Sequence, residues 1–227
     1  MGSGARRAPE RGDDVARLGA SWLVAQKKSL IASERDEAAR AAWRQVAGVL
    51  DPAQFVFVDE SGTHTSLTRL RARAPRGERA VGTVPRNHGP NVTLFAALTP
   101  QGIGPAMVVT GGADRPACET YVRQLLVPSL RSGQVVGMDR LNVHRGAVIQ
   151  AVIEGAGCRL LLLPSYSPDF NPIEQAFAKI KRQLRTTEAR TFDTLVAAIG
   201  QALDTVTPAD ARGCFAHCGF ALPNQLL

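Results

Sequence analysis

"QVVGMD", residues 134–139, is followed by "NVHRGAVIQAVIEGAG" and then by "CRLLLLP". A short apolar run, a helical pattern stopped by glycines and a second apolar run form the succession that most constrains this chain. Strands alternating with helices imply a parallel or mixed sheet with helices packed on it. The nearly continuous apolar character of "CRLLLLP" is the pattern expected of a strand covered on both faces. Upstream, "QFVFVDESG" reads as a strand, and "NVTLFAALTPQGIGPAMVVTGG" as two strands around a Pro-Gln-Gly turn. Residues 114–131 read as a helix with Tyr121, Leu125 and Leu126 on its apolar side, and two more helices are expected near 192–205 and 208–218. The order β, β, β, α, β, α, β, α predicts an α/β fold, a mixed sheet flanked by helices with further helices appended at the C-terminus.

The front of the chain is organised differently. Residues 1 to about 25 are rich in Gly, Arg and Ala with weak periodicity, and carry no core of their own. "ASERDEAARAAWRQVAGVL" reads as a helix capped by Ser33, with Ala39, Trp43, Val46 and Leu50 on its apolar face, and Asp51-Pro52 stops it. The expected division is a tail and connecting helix over 1–50 and one domain over 51–227, since 227 residues bury one sizeable core. No apolar run reaches the roughly 18 residues of a membrane span, so a membrane partner is not expected. The start has no apolar h-region, which argues against secretion. Four cysteines fit a reduced cytoplasmic chain better than a disulfide framework. "CFAHC" (214–218) lacks the second ligand pair of a structural zinc site.

Two of the apolar runs end in an acid: Asp59 after "FVFV" and Asp139 after "VVGM". In open α/β sheets the carboxyl ends of strands are where ligands and catalytic groups gather. A third acid, Glu174, lies in "SPDFNPIEQAF", and two readings of it stand open. Asn171 as N-cap, Pro172 at the first helical position and Glu174 at the third make a capping arrangement worth about 1 kcal/mol. Alternatively, Glu174 completes a metal-binding carboxylate set with Asp59 and Asp139.

"FVDESGTHT", "VVGMDRLNVHR" and "LPSYSPDFNPIEQAFAKIK" together resemble the catalytic blocks of bacterial insertion-sequence transposases in the mariner superfamily of DDE enzymes. The resemblance runs from about Lys27 to the C-terminus, and 34 residues lie between Asp139 and Glu174, as in the D-34-E pattern of that family. It implies a ribonuclease-H-like fold and makes Asp59, Asp139 and Glu174 the catalytic, metal-binding residues. It also implies two Mg²⁺ ions, with Mn²⁺ as a substitute, Asp59 bridging them and Asp139 and Glu174 each completing one site. The implied reaction is cleavage at the element ends, followed by attack of the freed 3′-hydroxyl on target DNA. By the same resemblance His144 is a supporting residue, and Asn171 supports Glu174 from the cap position. Glu60, His64 and His88 are read as surface or loop residues.

Lysine and arginine number 27 against 20 acids, a net charge of +7 that favours a polyanionic partner. The basic residues concentrate in two places. One is the stretch carrying Arg69, Arg71, Arg73, Arg76, Arg79 and Arg86; the other is the continuation of the Glu174 helix through Lys179, Lys181, Arg182 and Arg185. Both are expected to contact DNA phosphates, the partners being element ends and target DNA, with the protein a homo-oligomer on DNA. Two departures from the family pattern stand out. Arg140 follows the second aspartate where the family has Asn, and the first 50 residues offer no helix-turn-helix reader. Specific end recognition is therefore expected from a separate or frameshift-fused helix-turn-helix portion. The expected location is the bacterial cytoplasm, at the nucleoid when DNA is bound. A degenerate copy that binds DNA without cutting it is the alternative.

Overall fold

The computed structural model describes residues 31–87, 89–139 and 147–222; His88, Arg140 and His144 lie outside them. Residues from Glu34 onward form one compact unit. Helix α1 (Glu37–Gly48) leads into β1 (Phe55–Thr63), β2 (Val92–Thr99) and β3 (Gly102–Thr110). Then come α2 (Arg115–Tyr121), a π-helical turn over Val122–Leu126 and a short helical turn, α3 (Val127–Ser129). The second half runs β4 (Val135–Met138), α4 (Ala147–Gly155), β5 (Arg159–Leu162), α5 (Pro172–Thr187), α6 (Phe192–Asp204) and α7 (Pro208–His217). No helix among the described residues is long and apolar enough to cross a membrane.

The five strands form a mixed sheet in the order β3-β2-β1-β4-β5. β1–β2 and β2–β3 are antiparallel, whereas β4 joins β1 and β5 joins β4 in parallel. The element order and the flanking helices are those expected from the sequence. Because side chains alternate along a strand, β1 feeds two cores. Phe55 and Phe57 point to one face and pack with Trp43, Ile173, Phe177, Phe215 and Phe220 from α1, α5, α7 and the C-terminal segment. Val56 and Val58 point to the other, where Phe95, Tyr121, Leu126, Ile149 and Ile153 meet them. The position on β4 beside Phe57 needs a glycine. A Cβ on Gly137 would lie 2.6 and 2.7 Å from two atoms of the Phe57 ring.

Five local expectations need correction. α1 is capped by Asp36, whose carboxylate accepts from the Ala39 amide at 2.9 Å, rather than by Ser33. Its buried face is Arg40, Trp43 and Ala47, while Ala39 and Val46 face solvent. Rotation of the face follows from a buried ion pair that helical periodicity does not register. β5 is an edge strand whose residues are exposed or half-buried, not a strand covered on both faces. The helix after β3 is interrupted by the π turn, which buries Leu126 and turns Leu125 outward. β1 also continues through Asp59 to Thr63, since β2 pairs with it antiparallel as far as Thr63↔Val92.

Candidate active site

Asp59 is not at the end of its strand, yet it lies where the parallel pairing of β1 ends. The last partners of β1 and β4 are Val58 and Met138, so Asp59 and Asp139 come next on neighbouring strands. By alternation Asp59 lies on the Phe55–Phe57 side of the sheet, the side on which α5 packs. The chain leaving β5 carries the pairing with β4 one step further at Leu163, whose amide donates to the Met138 carbonyl at 2.8 Å. A short 3₁₀ turn, Pro168–Phe170, then delivers the start of α5 to the same place. Asp59, Asp139 and Glu174 consequently line one cleft of about 380 Å³ with Ser165, Tyr166 and Asn171. Tyr166 is held there at a φ of 56°, a conformation uncommon outside glycine and characteristic of functional loops.

Asn171 precedes α5, but its side chain makes no capping bond. Its own amide donates to the Pro168 carbonyl at 3.1 Å, so the reciprocal half of a capping box is taken up elsewhere. The Asn171 Nδ2 instead donates to Asp59 Oδ2 at 2.8 Å. Both residues are buried. The other oxygen of Asp59 accepts from the Glu60 amide at 2.8 Å. The support expected from Asn171 toward Glu174 is therefore directed to Asp59. The Asn171 Oδ1 is buried with no hydrogen-bond partner.

The electrostatics follow first from burial and then from crowding of like charges. Burial raises the Asp59 carboxyl to about 8; the Glu60 amide opposes this, and the negative charges of Glu60, Glu174 and Asp139 add to it. Glu174 is exposed as a residue, but desolvation of its carboxyl still raises it; Lys181 counters this, and Asp139 and Glu60 reinforce it. Glu60 is thus half-buried and electrostatically part of the site, although alternation along β1 argued for a surface residue. An oxygen-only set with this much concentrated negative charge fits hard divalent cations by its chemistry. Among the described residues, no three His, Cys, Asp or Glu stand close enough together to form a ready ligand set.

The basic residues divide by position. Arg69, Arg71, Arg73, Arg76, Arg79 and Arg86 are all exposed on the long connection from β1 to β2. Arg190 anchors the root of that connection, donating to the carbonyls of Thr65 at 3.0 Å and Leu67 at 2.9 Å. Arg69 reaches back to Thr186 Oγ1 at 2.9 Å. Arg69 and Arg71 then share an open groove of about 780 Å³ with Lys179, Arg182 and Arg185 of α5. The Lys179 ammonium is engaged within the chain, donating to Asp210 Oδ2 at 2.6 Å and the Thr205 carbonyl at 2.7 Å. His64 is a loop residue whose Nδ1 accepts from the Ser66 amide.

A five-stranded mixed sheet covered by helices, with carboxylates at the end of its parallel pairing, defines a ribonuclease-H-like α/β protein. The chain belongs to the DDE superfamily endonuclease family, whose model matches residues 54–196. It is 27% identical over 181 residues to the Transposable element Tc1 transposase of Caenorhabditis elegans, covering 74% of this chain and 66% of that protein. The fold is similar to that of the Mos1 transposase paired-end complex with left transposon end, at a TM-score of 0.68 and 14% identity over 90% of this chain and 66% of that one. It is likewise similar to the mariner Mos1 paired end complex with Mg, at a TM-score of 0.67 and 13% identity over 90% of this chain and 67% of that one. The chain thus spans about two thirds of the length of these relatives.

Neither Arg40 nor Asp169 stands out in the sequence, yet Arg40 is fully buried and grips Asp169, two residues before Asn171. Asp169 lies inside the "SPDFNP" block and could have been singled out there. Arg40, 129 positions away, carries no local signal.

Proposed function

We propose that this chain is the catalytic portion of a bacterial insertion-sequence DDE transposase, with residues 1–50 as tail and connecting helix and 51–227 as the catalytic domain. The observation that carries the reading is the meeting of Asp59, Asp139 and Glu174 in one cleft, with Asn171 bonded to Asp59. In this reading the three carboxylates hold divalent cations, Mg²⁺ with Mn²⁺ as substitute. When bound, such ions supply charge stabilisation to the crowded phosphorus centre and to its leaving oxygen.

The chain's own residues do the rest. Asn171 fixes the rotamer of Asp59, and Glu60 and the three carboxylates together create the negative site that selects cations. Arg69, Arg71, Arg73, Arg76, Arg79, Lys181 and Arg182 hold DNA phosphates, offsetting the repulsion between the carboxylates and the backbone. Lys179 braces α5 against α7 and orients that basic face. His144 supports the site from the segment after Asp139. Water attacks the phosphodiester at the element end, breaking the bond to the 3′ oxygen and leaving a 3′-hydroxyl. That hydroxyl then attacks a target phosphorus, forming a new P–O bond as the bond to the target's own 3′ oxygen breaks and that oxygen leaves as a 3′-hydroxyl, so the strands are joined. The protein acts as a homo-oligomer on DNA, with a further helix-turn-helix portion reading the ends.

The test is nicking and strand joining of a duplex carrying the element's terminal repeat. Asp59→Asn, Asp139→Asn and Glu174→Gln each abolish Mg²⁺-dependent nicking while the fold persists. Normal cutting by Glu174→Gln with an earlier melt would hand Glu174 back to the cap. A copy that binds DNA without cutting is the second reading, favoured by Arg140 and by the lack of a ready ligand trio among the described residues. DNA binding by the unmodified protein with no metal-dependent nicking of the bound duplex, at saturating DNA, would favour it.

A further inference from the structure

Helix α1 falls in front of the catalytic domain as the sequence divides it, yet its most buried side chain belongs to a charged residue. Arg40 is 0% exposed. Its Nη1 and Nη2 donate to the two oxygens of Asp169 at 2.9 and 2.6 Å, the two-pronged geometry in which arginine is strongest. Glu37 stands 3.4 Å from its Nε on the exposed side. Burying a guanidinium is costly unless it is paired, so this contact is not incidental to the packing of α1.

The same helix also clamps the next residue. The Arg40 guanidinium lies 4.0 Å over the Phe170 ring and that of Arg44 4.6 Å from it. Trp43 stacks on Phe170 with centroids 4.9 Å apart and planes 14° apart. Asp169 and Phe170 are thus held by two buried residues of α1, Arg40 and Trp43, with the exposed Arg44 reaching over the ring. The residue after them is Asn171, whose side chain bonds Asp59 and whose carbonyl accepts from the Glu174 amide at 3.2 Å.

We infer that Arg40 and Asp169 are positioning residues for the carboxylate site: α1 locks the 3₁₀ turn, the turn sets Asn171, and Asn171 sets Asp59 and the first turn of α5. The inference rests on the metal-binding reading of Asp59 given above. It makes α1 part of the catalytic unit instead of a connector. Any force transmitted along the chain into α1 then acts on the site through one ion pair and one ring. Partners that orient metal-binding residues without touching the ion typically account for 10- to 100-fold in metal affinity. A pair that acts one link further away belongs at the lower end of that range.

The experiment is Mn²⁺ binding by the full chain without DNA, followed by the electron paramagnetic resonance of free Mn²⁺, with circular dichroism to verify folding. Asp169→Asn should weaken Mn²⁺ binding about tenfold, Asp169→Glu should recover most of the loss, and Glu37→Gln, which leaves the grip on Asp169 in place, should bind as the unmodified protein does. Asp59→Asn should abolish binding and serves to separate the two ideas. If Asp59→Asn loses Mn²⁺ while Asp169→Asn melts earlier but keeps its affinity, Arg40 and Asp169 are merely structural and the inference is overturned. If Asp59→Asn also binds normally, the metal-site reading falls and takes the inference with it. Should Asp169→Asn not fold, Phe170→Leu removes the ring from the clamp without stranding a charge; it must then show the same loss of affinity, and unchanged affinity overturns the inference.

Discussion

Asn171 donates its side-chain amide to Asp59 across 112 residues of sequence, at 2.8 Å and out of reach of solvent. A residue placed to cap α5 has turned its side chain away from the helix and onto a strand. Asn171→Asp distinguishes the two roles. Aspartate caps as well as asparagine, so a cap alone would tolerate the change. Beside Asp59, which already faces Glu60, Glu174 and Asp139, another carboxylate is repelled. We expect Asn171→Asp to lower stability by more than about 1 kcal/mol in metal-free thermal melts above about pH 8, where Asp59 is ionised. A melting temperature equal to that of the unmodified protein would return Asn171 to the cap.

Gly137 is required by the ring beneath it. With a Cβ placed 2.6 Å from Phe57, Gly137→Ala should cost about 1–3 kcal/mol, the usual range for overpacking, measured by urea unfolding. Phe57→Leu in the same chain should restore part of this, because it removes the edge of the ring that the methyl meets. Two purely additive losses would place the strain elsewhere.

Acid sensitivity should be traceable to Asp210. Its hydrogen bond from Lys179 comes first, and those from Thr207 follow, in holding its carboxyl well below the ordinary value of 3.8. A carboxylate with a depressed folded-state pKa contributes stability above its unfolded value, and that contribution is lost as pH falls through the folded one. The melting temperature of the unmodified protein should therefore fall as pH drops below about 4, and Asp210→Asn should show a flatter decline over that window. The same slope in both proteins would mean that α5 and α7 are not held together by this pair.

DNA affinity should come from phosphates and carry little sequence information. Arg71 is exposed on the β1–β2 connection and Arg182 on α5, and they line the same groove. Each arginine that neutralises a phosphate contributes about 0.9 to the slope of log affinity against log salt. Arg71→Ala and Arg182→Ala should each lower that slope by about 1 and weaken repeat and scrambled duplexes equally. A preference of about 100-fold for the terminal repeat, roughly 2.7 kcal/mol, would show that these residues already include a reader of bases.

Much of this protein is local enough to be legible from the chain. Alternating apolar runs and glycine-stopped helices set out the elements in order, because period 2 and period 3.6 are properties of neighbouring residues. The same runs located Asp59 and Asp139, and the proline-rich block located the start of α5. What the chain could not disclose was which partner a side chain takes when several are chemically possible. Asn171 could cap or reach Asp59, and only the approach of β1 to the start of α5 decided between them. Glu60 alternates away from Asp59 along β1, yet its charge acts through space on both Asp59 and Glu174. On α1, hydropathy favoured Ala39 and Val46 for the interior; the ion pair to Asp169 turned Arg40 inward instead. Periodicity measures the average preference of a face for water, whereas a buried charge is decided by one partner, and for Arg40 that partner lies 129 residues away.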